Sequence, residues 1–393
     1  VVLNRMRAVV VGSGFIGPVH VEALLRAGQD VLGIVASSPQ KTAQACEALS
    51  LRQVYDSYEA VLADPQVDVV HITTPNRLHY DMAKSAIAAG KHVMCEKPLA
   101  MDSRQSAELV HLAQQSDVVT GVNYNIRYYP LCREAARRNA DGELGKVHHI
   151  TGGYVQDWLF HPTDFNWRVL ASEGGPLRAV ADIGTHWLDL IHFITKTPVR
   201  SVCADLQTVY PVRRRPTGNV ETYSGSSSQP QSTQPIDIDT EDAGSILVRF
   251  EGGAHGCMTV SQVTAGRKNC CRFELAASEQ TLAWNSESPN EMFVGHRDRP
   301  NEMLLRDPAL VGGSVAEGIS YPGGHNEGFP DTFKHCFIDF YRAIEAKQNG
   351  ETAPTPGHPS FADGHREVVL CEAILKSHHD RRWIDIGESG EPG

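Results

Sequence analysis

The sequence has no run of 18 consecutive apolar residues, so no segment reads as a bilayer-spanning helix and no membrane association is expected. It has no CxxC pair, and its nine cysteines are an odd number. That argues against a disulfide framework or a zinc knuckle and for a reducing, cytoplasmic setting. The first eleven residues carry Asn4, Arg5 and Arg7 where a secretory leader needs an apolar core, so secretion by that route is not expected. Positive charge is scarce. Lys plus Arg number 36 against 47 Asp plus Glu, for a formal net charge of -11, which would repel a phosphate backbone. The one basic cluster, Arg213, Arg214 and Arg215, reads as a solvated loop, so no nucleic-acid partner is expected. The 18 histidines lack ligand spacing: His148 and His149 point apart on a strand, and His186 and His192 do not match on a helix. No metal is expected.

What is present suits a globular protein, with 41% apolar and 21% charged residues. A length of 393 residues makes two domains the default. Up to residue 123, short β-branched runs alternate with amphipathic segments, the pattern of an α/β Rossmann domain with a doubly wound parallel sheet. Strands are expected at 8–11, 31–36, 67–73, 92–95 and 118–122. Helices are expected at 57–62, at 78–89 ending on Gly90, and from Asp102 or Ser103 to about residue 115.

From residue 124 to 393 the rhythm changes to an α+β domain with a large, mostly antiparallel sheet, through which a homo-oligomer would form. Strands are expected at 147–155, 201–209, 245–251 and 256–263, and helices at 130–139, 183–194, 332–346 and 363–377. The stretch 212–242, rich in Ser, Gln, Pro and Thr, reads as an exposed low-complexity loop within this domain.

Gly12-Ser13-Gly14-Phe15-Ile16-Gly17 follows an apolar strand and opens a helix, the context that gives a GxGxxG pattern meaning. Gly12 allows the tight turn, Gly14 lets a pyrophosphate approach, and Gly17 lets helix and strand close up. Phe15 and Ile16 lie in the same loop. After the second strand an NAD-preferring site places an acid, but this chain has Ser37, Ser38 and Lys41. These could bind a 2'-phosphate. They would equally serve as helix caps, so NAD(P) is the expected cofactor, leaning to NADP.

Thr74, Pro75, Asn76 and His79 follow the third strand, and Glu96-Lys97-Pro98 follows the fourth. Both turns lie at the carboxyl edge, where doubly wound sheets bind ligands. A lysine fixed there by a proline is unusual for a solvated charge.

Taken in order, GSGFIG, TPNRLH, EKP and the DIGTH run Asp182–His186 make the chain resemble the Gfo/Idh/MocA oxidoreductases over nearly its whole length. The resemblance implies a nicotinamide-dependent dehydrogenase or reductase acting on CH-OH groups of a sugar or cyclic polyol. It implies that Lys97 is the acid/base and that Asp182 and His186 complete the site. It also implies a cis Lys97-Pro98 peptide. Asp182 and His186, four apart at a helix start, would share a face; alone they also fit a cap and a core histidine. Between these regions stand Tyr154, Gln156, Asp157, Trp158, Trp167 and Arg168. Their rings suit sugar C-H faces and their polar groups suit vicinal hydroxyls. Tyr124 and Arg127, and His325 with Glu327, are further candidates. The remaining alternatives are a nicotinamide-assisted glycosidase and a non-catalytic NAD(P)-sensing protein.

Overall fold

The computed structural model describes residues 4–217, 232–352 and 357–387. These form two compact units, one built on 4–125 with 330–368 and the other on 126–329 with 369–387.

The first unit runs β1 (Arg7–Val11), α1 (Ile16–Arg26), β2 (Asp30–Val35), α2 (Pro39–Ala48), α3 (Tyr58–Ala63), β3 (Val69–Ile72), α4 (His79–Ala88), β4 (His92–Cys95), α5 (Ser103–Gln114) and β5 (Thr120–Val122). Its sheet has the order β2-β1-β3-β4-β5, with every pair parallel. Each crossover lays a helix on a face, so β3 is buried along its length. Val9, Leu32, Val70, Ile72, Val93 and Val122 make the core. Ser38, Ser57 and Asp102 cap α2, α3 and α5 through their side chains. Gly90, at φ 71°, turns the chain out of α4.

The second unit contains α6 (Pro130–Ala140), β6 (Val147–Val155), α7 (Ala171–Gly174), a π turn at Val180–Gly184, α8 (Thr185–Thr195), β7 (Val199–Gln207), β8 (Val212–Pro216), β9 (Thr233–Asp237), β10 (Ala243–Phe250), β11 (His255–Ser261), β12 (Cys270–Ala277), β13 (Thr281–Asn285), β14 (Glu291–Gly295), β15 (Glu302–Leu305) and α9 (Gly313–Ala316). Two long helices follow in the chain, α10 (Phe329–Gln348), which belongs to the first unit, and α11 (Phe361–Asp380), which passes from the first unit into the second, and then β16 (Ile384–Asp385) of the second unit. Nine strands pair in the order β15-β14-β13-β12-β6-β11-β10-β7-β16. All pairs are antiparallel except β6 with β11. In β10, Ile246, Val248 and Phe250 are buried, while Ser245, Leu247 and Arg249 between them are exposed, the signature of a sheet covered on one face. Trp187 of α8 is buried and donates its indole N–H to the Arg272 carbonyl at 2.9 Å. Among the described residues no helix is long and apolar enough to cross a membrane.

The stretch 212–242 differs from the exposed loop its composition suggested. β8 and β9 pair as an antiparallel ribbon, and Arg213, Thr240, Glu241 and Asp242 are buried. Arg213 is not a solvated charge: it donates to the carbonyls of Leu159, His161 and Asp164 and to Asp242. A buried ion pair and a ring of carbonyl acceptors order the flanks of a segment poor in apolar area. Residues 218–231 of the expected loop lie outside the described residues.

Candidate active site

The glycine loop has the shape of a dinucleotide cradle. Gly12 has φ 118°, and a Cβ there would lie 2.5 Å from the Thr73 carbonyl oxygen. A Cβ on Gly17 would lie 2.0 Å from the Gly12 carbonyl oxygen. Gly14 faces open space, where a Cβ would meet nothing within 4 Å, as a backbone that accepts a pyrophosphate requires. Phe15 is exposed, and Ile16 opens α1, whose N-terminus carries no side-chain cap and points its dipole at the loop. Thr73 locks the turn by donating its hydroxyl to the Gly12 carbonyl at 2.8 Å. These residues fit the diphosphate of NAD.

At the end of β2, the Ser38 hydroxyl accepts the Lys41 N–H at 3.3 Å and so serves as the cap of α2. The exposed Lys41 ammonium sits 3.5 Å from the Ser37 hydroxyl. The next two strands deliver their turns to the same edge. His79 Nδ1 is 2.8 Å from the Pro98 carbonyl and its Nε2 is 2.9 Å from the Thr74 carbonyl. Its ring therefore bridges the Thr74-Pro75-Asn76 turn, in which Asn76 is buried, and the Lys97-Pro98 turn. The Lys97–Pro98 peptide is cis.

Lys97 is half-buried, and its peptide N–H donates to Glu96 Oε2 at 3.3 Å. Glu96 Oε1 is 3.0 Å from His20 Nε2 and accepts from Asn123 at 2.5 Å. Burial pushes the Glu96 carboxyl up. The hydrogen bond and charge of His20, the charge of Lys97 and the Asn123 amide outweigh that and hold it at about 2.

In the second unit a polar cluster forms around the π turn. Asp182 pairs with the Arg168 Nε at 3.3 Å and accepts from Gln262 at 2.8 Å. The π turn starts before the helix expected at 183 and passes into α8, which carries the buried His186. The Tyr154 ring lies 6.1 Å from the His186 ring. The Tyr154 hydroxyl and the Gln156 amide both donate to Asn269, at 2.5 and 2.7 Å. Arg168 also lies over the Trp167 ring at 4.4 Å. Asp157 accepts from Lys268 at 2.7 Å and from the Gly266 N–H at 3.0 Å, and Trp158 packs against Leu159, Val169 and Ile238. Gln262 and Asn269 were missed in the sequence: each is a lone amide in a loop flanking β12, with no motif around it.

Other candidates have different surroundings. Arg127 is buried and gives both Nε and Nη2 to Asp189 of α8. Tyr124 is fully buried in the core of the first unit. Glu327 is buried and accepts from Arg306 at 3.1 Å, while His325 is exposed. Among the described residues no group of three or more His, Cys, Asp or Glu could hold a metal ion.

A family model described as an oxidoreductase family with an NAD-binding Rossmann fold matches residues 6–124, and the GFO/IDH/MocA C-terminal domain matches residues 132–283. An uncharacterized oxidoreductase of Synechocystis sp. is 31% identical, covering 97% of this chain and 96% of its own. Levoglucosan dehydrogenase of Pseudarthrobacter phenanthrenivorans is 27% identical over 98% of this chain and 99% of its own. A solved structure of levoglucosan dehydrogenase with NADH and L-sorbose has a TM-score of 0.86 at 26% identity, covering 98% of this chain and all of the other. The chain is thus an NAD-binding Rossmann oxidoreductase in fold and in sequence. It belongs to the GFO/IDH/MocA family.

Proposed function

We propose that this oxidoreductase transfers a hydride between nicotinamide and a carbinol carbon of a sugar, sugar derivative or cyclic polyol, with Lys97 as the acid/base. The observation that carries the proposal is the Lys97 turn, anchored by Glu96 after a buried parallel strand of the NAD-binding unit. When bound, the nicotinamide supplies the hydride acceptor or donor. Lys97 takes the hydroxyl proton in oxidation and returns it in reduction. His186 hydrogen-bonds the same oxygen and relays the proton, and Asp182, held by Arg168 and Gln262, orients the substrate or His186. Tyr154, Gln156, Asp157, Trp158, Trp167 and Arg168 supply the ring faces and polar groups that a polyol asks for.

Cofactor binding falls to residues 1–123 and substrate binding to 124–393. Gly12, Gly14, Phe15, Ile16 and Gly17 hold the pyrophosphate, with Thr74, Pro75, Asn76 and Glu96 lining the nicotinamide end. We assign His79 to tying the two turns together. Arg127 and Tyr124 go to the scaffold, because a buried ion pair and a core ring serve packing. Ser37, Ser38 and Lys41 admit a 2'-phosphate, which leaves NADP usable and leans the choice toward it. The nine-stranded sheet joins protomers of a homo-oligomer, and nine free thiols suit a cytoplasmic setting.

The test is a panel of monosaccharides, inositols, anhydrosugars and glycosides assayed for nicotinamide absorbance with NAD+ and NADP+. Net cofactor reduction by one of the polyols is expected. Glycoside cleavage without net reduction would make the chain a nicotinamide-assisted glycosidase, and cofactor binding with no turnover on any of them would make it a sensing protein.

A further inference from the structure

Behind the Lys97 turn, entirely within the first unit, polar side chains from several elements form one buried chain. The Tyr341 hydroxyl of α10 is 3.2 Å from His71 Nε2 on β3. His71 Nδ1 is 3.1 Å from His20 Nδ1 on α1, and His20 Nε2 is 3.0 Å from Glu96 Oε1. His20, His71 and Tyr341 are fully buried, and Phe337 packs against both imidazoles with ring centroids 4.8 and 4.7 Å away. An aliphatic residue would pack α1 onto the sheet at lower cost, since a buried polar group must find partners to break even. The chain ends on Glu96, whose other oxygen receives the Lys97 peptide N–H.

We propose that His20 is a positioning residue for Lys97. Its Nε2–H donates to Glu96 and, with Asn123, holds that carboxylate in the orientation that anchors the lysine's peptide and lies beside its charge. This rests on the reading of Lys97 as the acid/base.

Burial holds His71, Cys95 and Tyr341 toward their neutral forms. Burial pushes the His71 imidazole well down, aided by His20, and pushes the Cys95 thiol and the Tyr341 phenol well up. The charge that Lys97 senses from this wall is therefore governed by Glu96 and the His20 that holds it. The Lys97 charge in turn helps hold the Glu96 carboxyl down.

The experiment follows the titration of Lys97 by NMR of 13C-lysine-labelled protein without ligand, the signal being assigned with Lys97→Arg. Glu96→Gln is expected to lower the Lys97 midpoint by about half a pH unit or more, since a neighbouring anion is lost. His20→Leu alone is expected to move the midpoint by a similar amount. Added to Glu96→Gln, it is expected to move it by less than about 0.2, because its effect passes through Glu96. His20→Gln, which keeps an N–H donor near the Nε2 position, should stay near the wild-type midpoint, and His20→Ala serves as the deletion should the leucine variant not fold. A lowered melting temperature with an unmoved midpoint would make His20 merely structural and overturn the proposal. Equal shifts in both backgrounds would overturn it too, by showing a route other than Glu96. Lys97→Ala retaining full turnover on the polyol panel would sink the acid/base reading instead, a result separate from the midpoint cycle.

Discussion

Replacing Ser38 by Asp isolates the electrostatics of cofactor choice. Ser38 caps α2 with its side chain, and Asp is as good a helix cap as Ser, so the substitution should leave stability unchanged within about 0.5 kcal/mol. What changes is charge. A carboxylate roughly 5 Å from a bound 2'-phosphate, at an effective dielectric between about 20 and 80, costs roughly 1 to 3 kcal/mol. That corresponds to a loss of NADP+ affinity of about 10- to 100-fold. NAD+ carries a free 2'-hydroxyl, to which the new carboxylate can accept a hydrogen bond, so its affinity should hold or rise. Kd values for both cofactors, from quenching of protein fluorescence, give the ratio directly in wild type and variant. The exposed Lys41, whose ammonium sits 3.5 Å from the Ser37 hydroxyl, provides an internal control: Lys41→Ala should weaken NADP+ and leave NAD+ alone. An NADP+/NAD+ ratio that neither substitution moves, in a wild type that strongly prefers NAD+, would refute the reasoning. It would reduce Ser37 and Ser38 to capping groups.

Lys97→Ala should bind cofactor normally and lose two or more orders of magnitude in turnover, within the range of general acid/base contributions; wild-type turnover in the variant would contradict the mechanism. Gln262→Leu removes the amide that donates to Asp182 at 2.8 Å and should lower kcat/KM by roughly 10- to 100-fold at unchanged NADH affinity. Asp242→Asn leaves the buried guanidinium groups of Arg178 and Arg213 without their counter-charge, and urea unfolding should show a loss of about 3 to 5 kcal/mol. Glu241 is pushed up to about 7, chiefly by burial against the pull of backbone N–H groups and Arg178. Between its ordinary value and that pH the folded state keeps a proton that the unfolded chain has released, so stability falls as pH rises through the window. Glu241→Gln should flatten that slope in denaturation curves measured from pH 5 to 8, gaining up to about 3 kcal/mol at the alkaline end.

Much of the fold was legible because its signals are local. The alternation of β-branched runs with capped helices defined the parallel sheet, Gly12, Gly14 and Gly17 marked the cradle, and β6 runs over the stretch its alternation indicated. The strands β12 to β15 were not anticipated, since short segments broken by turns carry weak periodicity. Asp182, His186 and Lys97 could be nominated because each sits in a motif of fixed spacing. Their partners could not. Gln262 reaches Asp182 across 80 positions, Asn269 reaches Tyr154 across 115, and Tyr341 reaches His71 across 270. No periodicity links residues so far apart, because such contacts are chosen by how sheet and helices pack. Arg213 is the sharpest case. By composition it belongs to a polar loop, and only the placement of Asp242 and three carbonyl oxygens around it makes burying its charge feasible. The sequence by itself determined the elements of the parallel sheet, the nucleotide cradle and the motifs that carry Lys97, Asp182 and His186; the tertiary structure alone decided which polar groups meet in the interior, since the free energy of a buried charge depends on partners that sequence distance does not reveal.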